Sequence, residues 1–327
     1  MTQSLRVHVQ VNPASMLAGE ITPERVRAQA AGFGEPLALS FGRTADDFEA
    51  ALADAEVVLL TGKARLDELA RRAPRLRWIS YTSAGVEWLM DTALPPVVRL
   101  TNASGTHEPK AAEFALTAVL MLNSHLPHLV TAARERRWAP RSGGTVAGKT
   151  ALILGMGALG GAAATALRQQ RMRVIGNSHS GRPHPAVDHM TAGDGFRAWL
   201  PEADILLIAL PLTAATRGLI GRAELDLLPR HAGVVNIGRG EILDEVALVA
   251  KLTDGSLAGA VLDALPQEPL PPESPLWSAP NLIVTPHCGL YDPTAYGPRC
   301  LEGFFANLRR YRAGQPLEHQ VFHDRGY

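Results

Sequence analysis

Residues 150–170 constrain the fold most: the apolar run TALIL is followed at once by Gly155-Met156-Gly157-Ala158-Leu159-Gly160, then by GAAATALRQQ. A glycine pattern alone is weak, because turns use glycine freely. A strand before it and a good helix former after it make it a dinucleotide-binding turn. In such a turn the helix amino terminus points unpaired N–H groups at the cofactor pyrophosphate, and Gly157 lets the backbone come close. The pattern normally places an Asp or Glu about 20 residues on, where it accepts from the ribose 2′-hydroxyl and repels a 2′-phosphate. Here VIGNSHSGRP, residues 174–183, offers Asn177, Ser178, His179 and Ser180, and no acid. Ser178 and Ser180 are hydroxyl donors, His179 is a ring to stack on adenine, and Arg182 is a partner for a phosphate dianion. The expectation is NADP(H) as preferred cofactor, with NAD(H) also usable. A plain Ser/Gly/Pro turn with Arg182 in solvent is the structural alternative.

A chain of 327 residues exceeds one ordinary core, so two domains are expected. Lys plus Arg total 32 and Asp plus Glu total 32, a balance that favours neither nucleic acid nor a membrane surface as partner. No window of roughly eighteen apolar residues occurs, and MTQSLRVHVQ has no signal-peptide core. A cytoplasmic protein is expected. Cys288 and Cys300 have no metal-ligand spacing, so no metal is predicted, and two cysteines make no disulfide framework.

Short apolar runs at 5–11, 36–41, 56–60, 77–80 and 97–101 alternate with helix-like stretches such as ARLDELARR, residues 64–72. That alternation predicts a parallel α/β sheet. A helix is predicted from about 109 to 125, with Pro109 in its first turn. Strands are then predicted at 150–155, 172–176, 204–210, 233–238, 259–263 and 282–285. Their unbroken apolar character suits a sheet covered on both faces. RCLEGFFANLRRYRAG, at 299–314, returns to a helical pattern, and the carboxyl-terminal segment is expected to pack back on the first domain.

Several motifs then occur in order: PLTAATRGLI (211–220), VVNIGRGEILDEVAL (234–248), GAVLDALPQEPLP (259–271), SPLWSAPNLIVTPH (274–287) and ANLRRYRAGQPL (306–317). With them the chain resembles the D-isomer-specific 2-hydroxyacid dehydrogenase family, which includes glyoxylate/hydroxypyruvate reductases. The resemblance runs from YTSAGVEWL (81–89) to Gly326-Tyr327; earlier residues match only in general pattern. It implies an α/β fold of two Rossmann-like domains with doubly wound parallel sheets and an active site in the interdomain cleft. Residues 1–103 and 289–327 would form a flavodoxin-like substrate-binding domain, and 104–288 the nucleotide-binding domain. By analogy the chain would be a homodimer.

The resemblance also implies roles. Arg239 in NIGRGE matches the arginine that holds the substrate carboxylate and polarises the keto oxygen, Glu268 the catalytic glutamate, and His287 in TPHCG the acid/base histidine. The chemistry agrees: hydride addition to a ketone builds an alkoxide that needs a proton, and histidine titrates nearest to working pH. A carboxylate bonded to that ring favours imidazolium and fixes its orientation, and arginine offers a planar fork to an α-keto acid. Cofactor contacts are implied at Gly155, Gly157, Ala158, Leu159, Gly160, Leu210, Pro211, Thr216, Ile237 and Gly238, with Asp263 on the nicotinamide carboxamide. SAGVE aligns with the loop whose amides hold the substrate carboxylate, at Ala84 and Gly85. The segment NASGTHEPKAAEF departs from the common pattern at Thr106-His107-Glu108 and Lys110; Thr106 and His107 are candidate substrate contacts. His107 also reads as a satisfied loop histidine, and His125, His128, His184 and His189 read as surface residues.

The expected activity is reversible, NAD(P)H-dependent reduction of a small 2-keto acid to the D-2-hydroxy acid. Formate dehydrogenases resemble the scaffold but carry Gln where Glu268 stands, and phosphite dehydrogenases carry Lys where Ala84 stands. Dinucleotide-sensing corepressors of the family bind partner peptides through extra tails, whereas this chain ends directly after the fold.

Overall fold

The computed structural model describes residues 4–90 and 92–322; Gly326 and Tyr327, where the family resemblance ends, lie outside them. The chain divides into two compact units, one of residues 1–106 and 292–327, the other of residues 107–291.

The first unit begins with β1 (Leu5–Val11), α1 (Pro23–Ala31), β2 (Leu37–Gly42), α2 (Ala45–Leu52), β3 (Val57–Thr61), α3 (Leu69–Arg72), β4 (Trp78–Tyr81), α4 (Glu87–Met90) and β5 (Arg99–Thr101). Its five strands form a parallel sheet in the order β2-β1-β3-β4-β5. The helix expected over 64–72 shrinks to α3, because Glu68 before it takes the left-handed conformation at φ 52°.

The second unit contains α5 (Glu108–Asn123), α6 (Leu126–Arg134), β6 (Thr150–Leu154), α7 (Ala158–Gln169), β7 (Arg173–Ser178), β8 (His189–Ala192), β9 (Ile205–Ile208), α8 (Arg222–Leu227), β10 (Gly233–Asn236), α9 (Glu245–Thr253), β11 (Gly259–Leu262) and β12 (Leu282–Val284). Its seven-stranded parallel sheet runs β12-β11-β10-β9-β6-β7-β8. The order reverses between β6 and β9, which opens a crevice at the carboxyl ends of those strands. Alternate residues feed two cores. Leu152, Leu154, Leu206, Ile208 and Val234 pack on one face; Ala151, Ile153, Ile205, Leu207 and Val235 pack on the other. Both faces are covered, as the unbroken apolar runs require. The small residues Ala163, Ala164 and Ala166 on α7 and Ala111, Ala115 and Ala118 on α5 are all buried.

The chain then returns to the first unit as α10 (Tyr296–Arg312). Phe304 and Tyr311 of α10 stack on Trp78 of β4, with ring centroids 5.2 and 5.8 Å apart. Cys300 on this helix is buried, and burial pushes its thiol up to about 12; Cys288 is exposed, and both are free.

Two sequence readings need correction. Strand β8 was not anticipated: it is a short edge strand, paired only with β7. His125, His128 and His184 are half-buried rather than on the surface, and only His189 is exposed, its ring 4.8 Å from that of Trp199. His184 packs over Gly161, where a Cβ would meet its Nε2 at 2.9 Å. Burial, then the charges of Arg141, Lys149 and His128, holds His125 below the usual histidine range.

Candidate active site

Register places the last residues of the central strands side by side: Leu154 pairs with Ile208, Ile208 with Asn236, and Asn236 with Leu262. The loops that follow them therefore leave the sheet at one edge. They carry Gly155–Gly157, Leu210–Pro211, Ile237–Arg239, Asp263–Glu268 and Thr285–His287. The sheet thus gathers residues far apart in sequence.

The glycine turn has the properties a dinucleotide needs. Gly155 lies at φ 94°, and a Cβ there would come within 2.6 Å of the Ala209 carbonyl oxygen. Gly157 caps α7 with no side-chain hydrogen bond, and a Cβ on it would meet nothing within 4 Å. At Gly160 a Cβ would fall 1.8 Å from the Gly155 carbonyl oxygen, so only glycine lets α7 approach the turn so closely. The uncapped first-turn amides, including those of Ala158 and Leu159, and the open space over Gly157 fit a pyrophosphate. Thr216, on the loop after β9, is committed to that loop: its hydroxyl donates to the Pro211 carbonyl at 2.7 Å and accepts from the Thr213 amide at 2.8 Å.

After β7 the side chains diverge. Asn177 is buried, and its amide donates to the Thr191 hydroxyl at 2.9 Å and the Gly193 carbonyl at 3.1 Å. That residue braces β8 with its side-chain amide committed there, so the position to weigh is Ser178. Ser178 Oγ accepts from the Gly181 amide at 3.1 Å, while His179, Ser180 and Arg182 are exposed. Among the described residues the Arg182 guanidinium makes no ion pair.

The three candidate catalytic residues come from three of these loops. His287 Nδ1 lies 2.8 and 3.0 Å from the two Glu268 carboxylate oxygens, and Glu268 Oε1 also accepts from the Leu265 amide at 3.0 Å. A carboxylate can only accept here, so Nδ1 carries a hydrogen and the second ring nitrogen is left for other chemistry. His287 itself lies at φ 50°, a left-handed conformation that costs a non-glycine residue roughly 1–2 kcal/mol. Half-buried Arg239 is shaped by Asn236, whose amide donates to the Arg239 carbonyl at 3.0 Å and whose Oδ1 accepts from the Gly238 amide at 3.0 Å. At Gly240 a Cβ would overlap the Leu265–Pro266 backbone, so glycine there lets the Arg239 loop lie against the segment leading to Glu268.

Sequence reasoning gives Asp263 a cofactor contact and misses that it holds these loops. Asp263 is 2% exposed; its Oδ1 accepts from the Thr285 hydroxyl at 2.6 Å and from the Cys288 and Gly289 amides at 3.1 and 2.8 Å. Asn236 and Thr285 lie inside the motifs VVNIGRGEILDEVAL and SPLWSAPNLIVTPH, but only their place at a strand end hints at a holding role.

In the first unit, the loop after β4 is fastened by Asn102, whose amide donates to the Ala84 carbonyl at 2.9 Å. Among the described residues the Ala84 and Gly85 amides donate no hydrogen bond. Thr106 turns its hydroxyl onto the Ala103 carbonyl at 2.6 Å. His107 belongs to the second unit and bonds the Leu290 carbonyl at 2.9 Å, as a satisfied loop histidine.

Comparison with known proteins now adds to the geometry. Residues 116–289 match the model of the D-isomer specific 2-hydroxyacid dehydrogenase NAD binding domain. A glyoxylate reductase of Aeropyrum pernix is 36% identical over 72% of this chain and 73% of its own. The solved D-isomer specific 2-hydroxyacid dehydrogenase of Xanthobacter autotrophicus Py2, in complex with NADPH and MES, is 30% identical with a TM-score of 0.84, covering 99% of this chain and 100% of that one. An NADPH-dependent glyoxylate/hydroxypyruvate reductase of Sinorhizobium meliloti, solved with NADP and sulfate, is 28% identical with a TM-score of 0.79, covering 99% and 100%. The glycine turn, the loops at one sheet edge and these matches converge: the chain belongs to the D-isomer specific 2-hydroxyacid dehydrogenase family of nicotinamide-dependent oxidoreductases.

Proposed function

We propose that the protein reduces a small 2-keto acid of the glyoxylate or hydroxypyruvate type, with NADPH preferred over NADH. The observation that carries the reaction is the His287–Glu268 pair, with Nδ1 held by a carboxylate at 2.8 Å. Bound nicotinamide supplies a hydride to the keto carbon. His287, as imidazolium, gives its second ring proton to the developing alkoxide, and Glu268 steadies the cation. Arg239 offers its guanidinium to the substrate carboxylate and keto oxygen, and the Ala84 and Gly85 amides are further carboxylate donors. Asp263, already loop-bound through Oδ1, is the contact for the nicotinamide carboxamide. Gly155, Gly157, Ala158, Leu159 and Gly160 hold the pyrophosphate, with Leu210, Pro211, Thr216, Ile237 and Gly238 lining the rest of the cofactor. A homodimer in the cytoplasm is the accompanying expectation.

The preference for NADPH rests on the loop after β7. Its first residues, Ser178 to Arg182, offer two serines, His179 and an Arg182 with no ion pair among the described residues, and carry no carboxylate to repel a 2′-phosphate. Two relatives with this fold were solved with NADPH or NADP. Steady-state reduction of glyoxylate, hydroxypyruvate and larger 2-keto acids, each with NADPH and with NADH, tests both parts. Turnover of the small acids with higher kcat/KM for NADPH supports the reading; equal kcat/KM for the two cofactors rejects the preference, and no turnover of any keto acid rejects the reaction.

A further inference from the structure

The loop that carries His287 is also held from the segment NASGTHEPKAAEF, residues 102–114. The chain enters the second unit at His107 and leaves it after Tyr291. His107 precedes the first turn of α5, and its Nδ1 lies 2.9 Å from the Leu290 carbonyl oxygen, three residues beyond His287. A carbonyl oxygen only accepts, so Nδ1 carries the hydrogen and donates. Phe114 lies two turns further along α5, on the same side as His107. Its ring sits against Gly289, where a Cβ would come within 2.4 Å of it. From the end of β11, Asp263 accepts from Thr285, Cys288 and Gly289. The loop is therefore clamped between β11 and α5 while His287 holds its left-handed conformation at φ 50°.

Asp263 fixes only the stretch up to Gly289. Beyond it, Leu290 has its carbonyl fixed by His107. We propose that His107 is a positioning residue for proton delivery: its hydrogen bond to Leu290 locks the far end of the catalytic loop and so keeps the His287 ring on Glu268. His107 does not touch the keto acid in this role. The inference rests on His287 as the acid, and it gives the unusual Thr106-His107-Glu108 segment a task other than substrate contact.

The test uses the full chain with glyoxylate and NADPH. His107→Leu removes the donor; His107→Asn keeps an N–H the same number of bonds from the backbone; His107→Gln moves it one bond out and covers the case of a leucine variant that does not fold. For Leu and Gln, kcat should fall roughly ten- to a hundredfold, the scale of a misplaced catalytic group, with the KM for NADPH unchanged. For Asn, kcat should return to within about threefold of the unmutated protein. Amide hydrogen exchange over residues 285–290 should quicken in the Leu and Gln variants and stay slow in Asn. Unchanged kcat and exchange in His107→Leu or His107→Gln, or equal losses in all three variants, would overturn the proposal. If the unmutated chain reduces no keto acid, the assigned reaction fails instead, and the exchange measurement still decides whether His107 locks the loop.

Discussion

Two loops at the same edge of the seven-stranded sheet are built in opposite ways. The segment from Thr285 to Leu290 spends nearly every polar group on its own surroundings: Asp263, Glu268 and His107 each take a bond from it or give one to it. The segment from His179 to Arg182 holds its shape with two weak hydroxyl contacts and leaves His179, Ser180 and Arg182 exposed. The first arrangement suits chemistry, where a proton donor must wait in place before the substrate arrives. The second suits discrimination, where groups settle around whichever phosphate or hydroxyl the ligand brings. Positioning has been concentrated where a small displacement costs rate, and freedom kept where it costs only affinity.

The contrast can be broken at four points. The largest effect belongs to the clamped loop: His287→Ala should lower kcat for glyoxylate by on the order of 10²-fold or more, while NADPH binding measured by fluorescence persists. Near-normal turnover would remove the acid from the mechanism. In the open loop, Arg182→Ala should reduce kcat/KM for NADPH about ten- to a hundredfold, because a charged hydrogen bond contributes roughly 1.5–3 kcal/mol, and leave NADH nearly unchanged. A parallel fall with NADH would show that Arg182 supports the loop rather than the phosphate. Thr285→Val deprives Asp263 of one donor and should cost about 1–3 kcal/mol of stability in denaturant unfolding; no loss would mean that the Cys288 and Gly289 amides suffice. The smallest effect should come from His179→Ala, whose exposed side chain predicts a stability change within about 0.5 kcal/mol. A marked change in the unfolding midpoint would erase the distinction between the two loops.

The same distinction governs what the sequence discloses. Strands such as TALIL and DILLIAL declare themselves because burial on both faces demands unbroken apolar runs, and the glycine turn because only glycine fits at 155 and 160. His189–Ala192 does not, since an edge strand with one neighbour needs little apolar surface. Glu268 and His287 are legible through their motifs. The bonds that set them in place are not: His107 and Leu290 are 183 positions apart, and Asp263 and Cys288 are 25 apart. Asn177 shows the converse failure, for it looks like a ligand contact in the sequence but is spent on Thr191. Polarity at a strand end announces that a bond is made, not with what.

The return of α10 to the first unit has a consequence for how the protein is made. Trp78 is fully buried, and part of its cover comes from Phe304 and Tyr311, which the ribosome delivers only after the entire second unit. At ordinary translation rates, roughly 5–20 residues per second, β1–β5 wait on the order of ten seconds or more without the helix that completes their core. The second unit is continuous in sequence, and all of its strands are delivered before α10. The amino-terminal part of the first unit is thus synthesised early and finished late, and in the interval its apolar sheet face is the part of the nascent chain that a chaperone has reason to hold.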